Sequence, residues 1–344
     1  MNKKERFLAA VERRPVDRLP WWVGLPTEDA LAGLFEYFGV RSMRELKLLL
    51  DDDVWTVELP YHSPTSDAIY AAFDFAKKGP AHGNKERTLT SPGFFEDYEE
   101  ESAVDLFDWP DPRKYISPET CRGAVADIPD GYPVLGVIWS AHFQDACAAF
   151  GMEDALIKMK LAPELFRAVI DRITEFYLTA NEIFYEATRG RLDAVLIGND
   201  FGTQNGLILS ANDLREFVFP GTKRLVDQAH RYGLKVIHHS CGSIREVIPD
   251  LIGLGVDVIH PIQALAAGMQ AEGLRDDFAG QVSFCGGVDA QYLLPNGTPQ
   301  DVGADVARLK GLFSTGLIVS PSHEAVLPDI PPANIAALAA ACRE

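Results

Sequence analysis

Two kinds of apolar pattern alternate along this chain. Short, near-continuous apolar runs occur at "LPWWVG" (19–24), "DVWTVE" (53–58), "PVLGVI" (133–138), "DAVLIG" (193–198), "LKVIHH" (234–239), "VDVIH" (256–260), "VSFCG" (282–286) and "LIVS" (317–320). Each is followed by a helical pattern or by room for one. Runs apolar at every position suit strands covered on both faces, and strands alternating with helices suit a parallel sheet. Eight such units predict an α/β fold, a single (β/α)8 TIM-type barrel over residues 1–344.

The helical segments carry their own boundary signals. Residues 162–190 read as one long amphipathic helix stopped by Gly190. Ser243 with Glu246, and Thr298 with Asp301, have capping-box spacing ahead of apolar periodicity. A long insertion, about 60–131, separates the second and third predicted strands. It contains a predicted hairpin around "YAAFDF" and "KERTLT", and its length marks it as a lid or binding loop.

Composition narrows the function classes. The chain is 47% hydrophobic and 24% charged, with a net charge of −18 that repels a phosphate backbone. Nucleic acid is not an expected partner, and no apolar run is long enough to span a bilayer. The N-terminus reads as a charged amphipathic helix without a signal-peptide core, so a cytoplasmic protein is expected. Five scattered cysteines form no disulfide framework.

In a barrel the chemistry gathers at the C-terminal ends of the strands. Here these read "GNDFGTQNG", "HHSCGS", "HPIQ", "FCGGVDAQ" and "SPSHEA". His239 and Cys241, two residues apart in extended chain, point the same way, and a His-x-Cys pair can hold one zinc ion. Location makes His323 and Cys285 the candidates for a third ligand. The same residues also fit satisfied rim histidines and a small buried cysteine, and spacing alone does not decide. His238, facing the other way, reads as structural.

Asn199, Asp200 and Gln204 sit beside glycines that let backbone approach a ligand. Asp200 suits a general acid or base, a partner of a metal-bound histidine, or a turn former; Gln263 shares that ambiguity. His142 can line the mouth or open a helix. No P-loop, nucleophile elbow or dinucleotide fingerprint is present.

"ERFLAAVERRPVDRLP", "GNDFGTQNGLILS", "HHSCGSIREVIPDLIGLGVDVIHPIQ", "GGVDAQYLLPNGTPQDV" and "LIVSPSHEAVLPDIPPANI" together resemble the uroporphyrinogen decarboxylase superfamily over nearly the full length. The resemblance implies a (β/α)8 barrel with a deep cleft. True decarboxylases carry an arginine-rich N-terminal signature for porphyrinogen carboxylates; "WWVGLPTEDALAGLFEYFG" has no arginine. The other branch, the corrinoid-dependent methyltransferases, binds zinc through His-x-Cys and a distant cysteine. "HSCG" matches the first part, and His323 in "PSH" stands where that cysteine would be. This implies a zinc-dependent O-demethylating methyltransferase that passes methyl from a methoxylated small molecule to Co(I) of a corrinoid (cobalamin) protein. In that reading His239, Cys241 and His323 hold zinc, Asp200 or a nearby residue donates the proton, and Trp21, Trp22 and Trp139 offer an apolar surface. A homodimer is expected by the same analogy. The rival readings are a metal-free decarboxylase and a barrel that binds a small ligand or corrinoid without catalysis.

Overall fold

The computed structural model describes residues 1–76 and 90–344. A two-residue ladder pairs β1 (Leu25–Pro26) with β9 (Ala325–Val326). Seven parallel strands are hydrogen-bonded in chain order: β2 (Trp55–Glu58), β3 (Val134–Trp139), β4 (Ala194–Gly198), β5 (Lys235–His239), β6 (Val258–Ile262), β7 (Ser283–Val288) and β8 (Leu317–Pro321).

The eighth stave is residues 20–22. Trp22 N–H donates to Val319 O at 2.9 Å, Val319 N–H to Pro20 O at 2.9 Å, and Asp53 N–H to Trp21 O at 3.1 Å. The curled sheet is thereby closed between β8 and the start of β2. This segment, expected as a full strand over 19–24, makes only a single bridge to β8. Pro20 has no N–H to give. Gly24, at φ +91°, turns the chain out of the ladder where a Cβ would stand 2.4 Å from Glu324 O.

Strand alternation sorts side chains into two layers. Val236 packs outward against the helices, whereas Ile237 joins Phe7, Trp22, Val137, Leu196, Val258, Cys285 and Ile318 inside the barrel. His239 is the next inward residue after Ile237, which aims it into the barrel mouth. At the opposite end, helix Lys3–Val11 inserts Phe7 and Val11, and buried Asp53 accepts hydrogen bonds from Arg6 (2.9 Å), Arg18 (2.5 and 3.0 Å) and Trp21 N–H (3.0 Å).

The long predicted helix is present as Pro163–Ala187, followed by Gly190 at φ +78°. Thr298 and Asp301 form the expected capping box. Ser243 does not cap: its hydroxyl donates to Ala267 O at 2.7 Å, and the chain enters a 3-10 turn at Arg245–Val247 before helix Ile248–Leu254. Between β2 and β3, "YAAFDF" is a 3-10 turn (Ile69–Ala71) and an irregular stretch ending in one antiparallel bridge, Ala76 to Gly93. Its expected hairpin partner, "KERTLT", lies largely outside the described residues. Phe73, Phe75, Phe107 and Trp109 of this insertion pack on one another with centroids 4.8–6.0 Å apart. No helix among the described residues is long and apolar enough to cross a membrane.

Candidate active site

A cleft of about 590 Å³ opens over the C-terminal ends of the strands. Tyr70, Phe73 and Phe75 from the insertion and Trp139 from the end of β3 form its apolar wall, while Asp145, Asp200, His239, His323 and Glu324 supply its polar groups. Trp139 and Ser140 have φ of +54° and +55°, a conformation costly for residues other than glycine. The turn they make brings the indole edge-on to His239, with centroids 5.5 Å apart.

His239 is the hub. Its Nε2 lies 3.2 Å from Asp200 Oδ1 and 3.4 Å from Cys241 Sγ; its Nδ1 lies 3.0 Å from His260 Nδ1 and 3.3 Å from Glu324 Oε2. Donor atoms of Asp200, His239 and Cys241 converge within 4.8 Å of one another, as do those of His239, His260 and Glu324. His323 belongs to neither group but borders the first: its ring is 6.1 Å from that of His239, and its Nδ1 accepts Ala325 N–H at 3.0 Å.

Glycines let these loops close. A Cβ on Gly198 would stand 2.2 Å from His239 O, and one on Gly242, at φ +83°, 2.4 Å from the Gly202 carbonyl carbon. With the backbones in contact, Asp200 Oδ1 accepts Cys241 N–H at 2.8 Å, and its Oδ2 accepts from Gln144 Nε2 at 3.1 Å. Gln263 Oε1 accepts Gly242 N–H at 2.5 Å, so it fixes the loop after Cys241.

Charge follows from this packing. Burial opposes ionisation of Asp200, but the hydrogen bond and charge of His239 win and hold the carboxyl well below its ordinary range. Burial likewise disfavours the Cys241 thiolate, yet hydrogen bonds from His239 and His323 bring the thiol down. His239 itself is raised well above its ordinary value: Glu324, Asp200 and Cys241 outweigh the cost of burial. His260 is driven far down, by burial first and then by its histidine neighbours. Carboxylates and a thiol thus surround an imidazole and favour its protonated form.

The donor set fits zinc, which accepts nitrogen, sulfur and oxygen together. Two buried atoms, Glu324 Oε2 and His260 Nε2, have no hydrogen-bond partner. A metal on His239 Nε2 would place a proton on Nδ1, whose hydrogen-bond partner is His260 Nδ1 at 3.0 Å, with the Glu324 carboxylate 3.3 Å away as a neighbouring charge.

The remaining sequence candidates divide. Asn199 is buried and accepts Phe143 N–H at 2.8 Å, pinning the start of helix His142–Phe150 rather than facing the cleft. His142 opens that helix and is buried, with Nε2 3.0 Å from Val218 O. Gln204 is exposed on a loop away from the cleft. Trp21 packs in the outer layer with Nε1 on Asp51 O at 3.0 Å, and Trp22 lies inside the barrel, 5.6 Å from the His260 ring. Cys285 also sits in that inner apolar layer, outside the cleft lining, where burial pushes its thiol far up. His238 is buried against Phe201, its pKa down to about 3 through burial. His260, Glu324 and Asp145 belong to the site and were not singled out from sequence. Strand register pairs His239 with His260, an adjacency that exists only in the folded sheet.

Comparison with known proteins agrees with this architecture. A methyltransferase from Methanosarcina mazei superposes with a TM-score of 0.69 over 100% of this chain and 98% of its own, at 17% identity. A methylated-thiol–coenzyme M methyltransferase from Methanosarcina mazei is 24% identical over 92% of this chain and 76% of its own length. A uroporphyrinogen decarboxylase from Geobacter metallireducens is 28% identical over 72% of this chain and 75% of its own. The sequence profile of uroporphyrinogen decarboxylase (URO-D) matches residues 75–344. The chain therefore belongs to the URO-D family.

Proposed function

We propose that this protein is a zinc-dependent methyltransferase that moves methyl from a methoxylated small molecule to Co(I) of a corrinoid protein docked over the barrel mouth. The observation that carries this reading is the convergence of His239 Nε2, Cys241 Sγ and Asp200 Oδ1 at the edge of an aromatic cleft. His239, Cys241 and His323 would hold zinc, which when bound supplies a Lewis acid for the oxygen that loses the methyl.

The chain's own groups then have separable tasks. His260, hydrogen-bonded at Nδ1, and the neighbouring Glu324 carboxylate orient the His239 ring. Asp200 accepts from Cys241 N–H and Gln144 Nε2 and so positions the ligand loop beside the metal. Trp139, Phe73 and Phe75 give the substrate an apolar wall.

A decarboxylase is the second reading, since decarboxylases are among the relatives. Against it, the described lining of the cleft contains no arginine or lysine to bind porphyrinogen carboxylates. Purified protein reconstituted with zinc should be given a Co(I) corrinoid protein and, in parallel, a methoxyphenol, a methyl thioether and uroporphyrinogen. Loss of the Co(I) absorbance with the methoxyphenol supports the reading; turnover of uroporphyrinogen alone replaces it.

A further inference from the structure

Asp145 has no task in the account so far. It projects from helix His142–Phe150 into the cleft wall, and its Oδ2 accepts a hydrogen bond from the buried Tyr177 hydroxyl at 2.5 Å. Oδ1 has no hydrogen-bond partner among the described residues and remains for a ligand. The described lining around it includes aromatic (Tyr70, Phe73, Phe75, Trp139), acidic (Asp200, Glu324) and imidazole (His239, His323) side chains, with no arginine or lysine.

We propose that Asp145 is the specificity residue of the cleft: it hydrogen-bonds a hydroxyl on a neutral methoxylated ring, and rings bearing a carboxylate are rejected. The inference rests on the methyl-ether reading of the same site.

The chemistry of the pair makes the choice. Burial pushes the Asp145 carboxyl up to about 7, only partly offset by Tyr177, so both protonation states are populated near neutrality. A hydroxyl both donates and accepts, and it satisfies Asp145 in either state. An ammonium suits only the ionised form. A ring carboxylate in the hydroxyl's place would set a second anion directly against the ionised form of Asp145, which disfavours its binding there. The cleft volume lies in the range that encloses a small ligand, and stacked aromatic walls suit a flat ring.

The test is calorimetric binding of 2-methoxyphenol, methoxybenzene and 2-methoxybenzoate to the full-length, zinc-reconstituted protein and to Asp145→Asn and Asp145→Leu. For the unaltered protein, 2-methoxyphenol should bind at least tenfold more tightly than either of the others. Asp145→Leu should bring the phenol and methoxybenzene within threefold of each other. Asp145→Asn, which still accepts from Tyr177, should keep the phenol within threefold and tighten 2-methoxybenzoate. Benzoate binding within threefold of the phenol, a phenol preference that survives Asp145→Leu in a folded variant, or no binding of any ring overturns the proposal. Binding is read without methyl transfer. The expected ligand order with no transfer to Co(I) counts against the proposed function alone; transfer with the order lost counts against Asp145 alone.

Discussion

Glu324 Oε2 lies 3.3 Å from His239 Nδ1, on the other side of the imidazole from Cys241 Sγ, which lies 3.4 Å from Nε2. One ring is thus clamped between a carboxylate and a thiol. If Nε2 meets the metal, the Glu324 charge, beside the His260 Nδ1 that bonds the same nitrogen, favours the Nδ1–H tautomer that makes this possible. Glu324→Gln should keep the fold and lower zinc affinity roughly 10–100-fold, the usual cost of losing such a partner. Competition with a chromophoric chelator measures it; unchanged affinity would show that Glu324 does not orient His239.

The close approach of the Gly202 and Gly242 backbones holds Cys241 beside Asp200. Gly242→Ala adds a Cβ where there is no space and where φ is +83°. The variant should lose most methyl transfer and most bound metal, with a melting temperature reduced by several degrees, because the strain sits in one loop. Retained metal and activity would mean that the loop is not what positions Cys241.

Asp145 gives the protein a pH signature. Between its ordinary value of 3.8 and about 7 the folded chain holds this proton while the unfolded chain releases it. The native state then binds more protons, and this group's contribution to stability falls as pH rises through that window. Asp145→Asn removes the effect. The melting temperature of the variant minus that of the parent should therefore climb from pH 4 to pH 7 and level off above it. A flat difference would place the Asp145 carboxyl at its ordinary value.

At the far end of the barrel, Asp53 is fully buried and joins Arg6, Arg18 and the Trp21 N–H. Removing one member of such a cluster leaves buried charge without a partner. Asp53→Ala should destabilise by about 3–5 kcal/mol in urea unfolding, with metal binding intact in the fraction that remains folded. A loss below about 1 kcal/mol would assign the cluster to the solvated surface class.

Strand order was legible because buried parallel strands are written as apolar runs, and seven of eight formed ladders where expected. The 19–24 stave pairs weakly because Pro20 and Gly24, visible in the sequence, were outvoted by the apolar residues between them. His239, Cys241 and His323 were legible as a cluster at strand ends. His260 and Glu324 were not, since their place depends on register between neighbouring strands and on one loop folding back. Trp22 and Cys285 show the converse. Near the rim in sequence, they face inward by strand alternation and are enclosed by the barrel's own packing. Asp145 has no sequence motif at all; only the arrival of Tyr177 from a distant helix marks it.

The central claim is that His239 and Cys241 are half of a metal centre. Elemental analysis of the purified protein, beside His239→Ala, Cys241→Ala and His323→Ala, tests it most directly. About one zinc per chain, largely lost in each variant, is the expected result. A protein that takes up no zinc after reconstitution, or retains it without His239 and Cys241, contradicts the account.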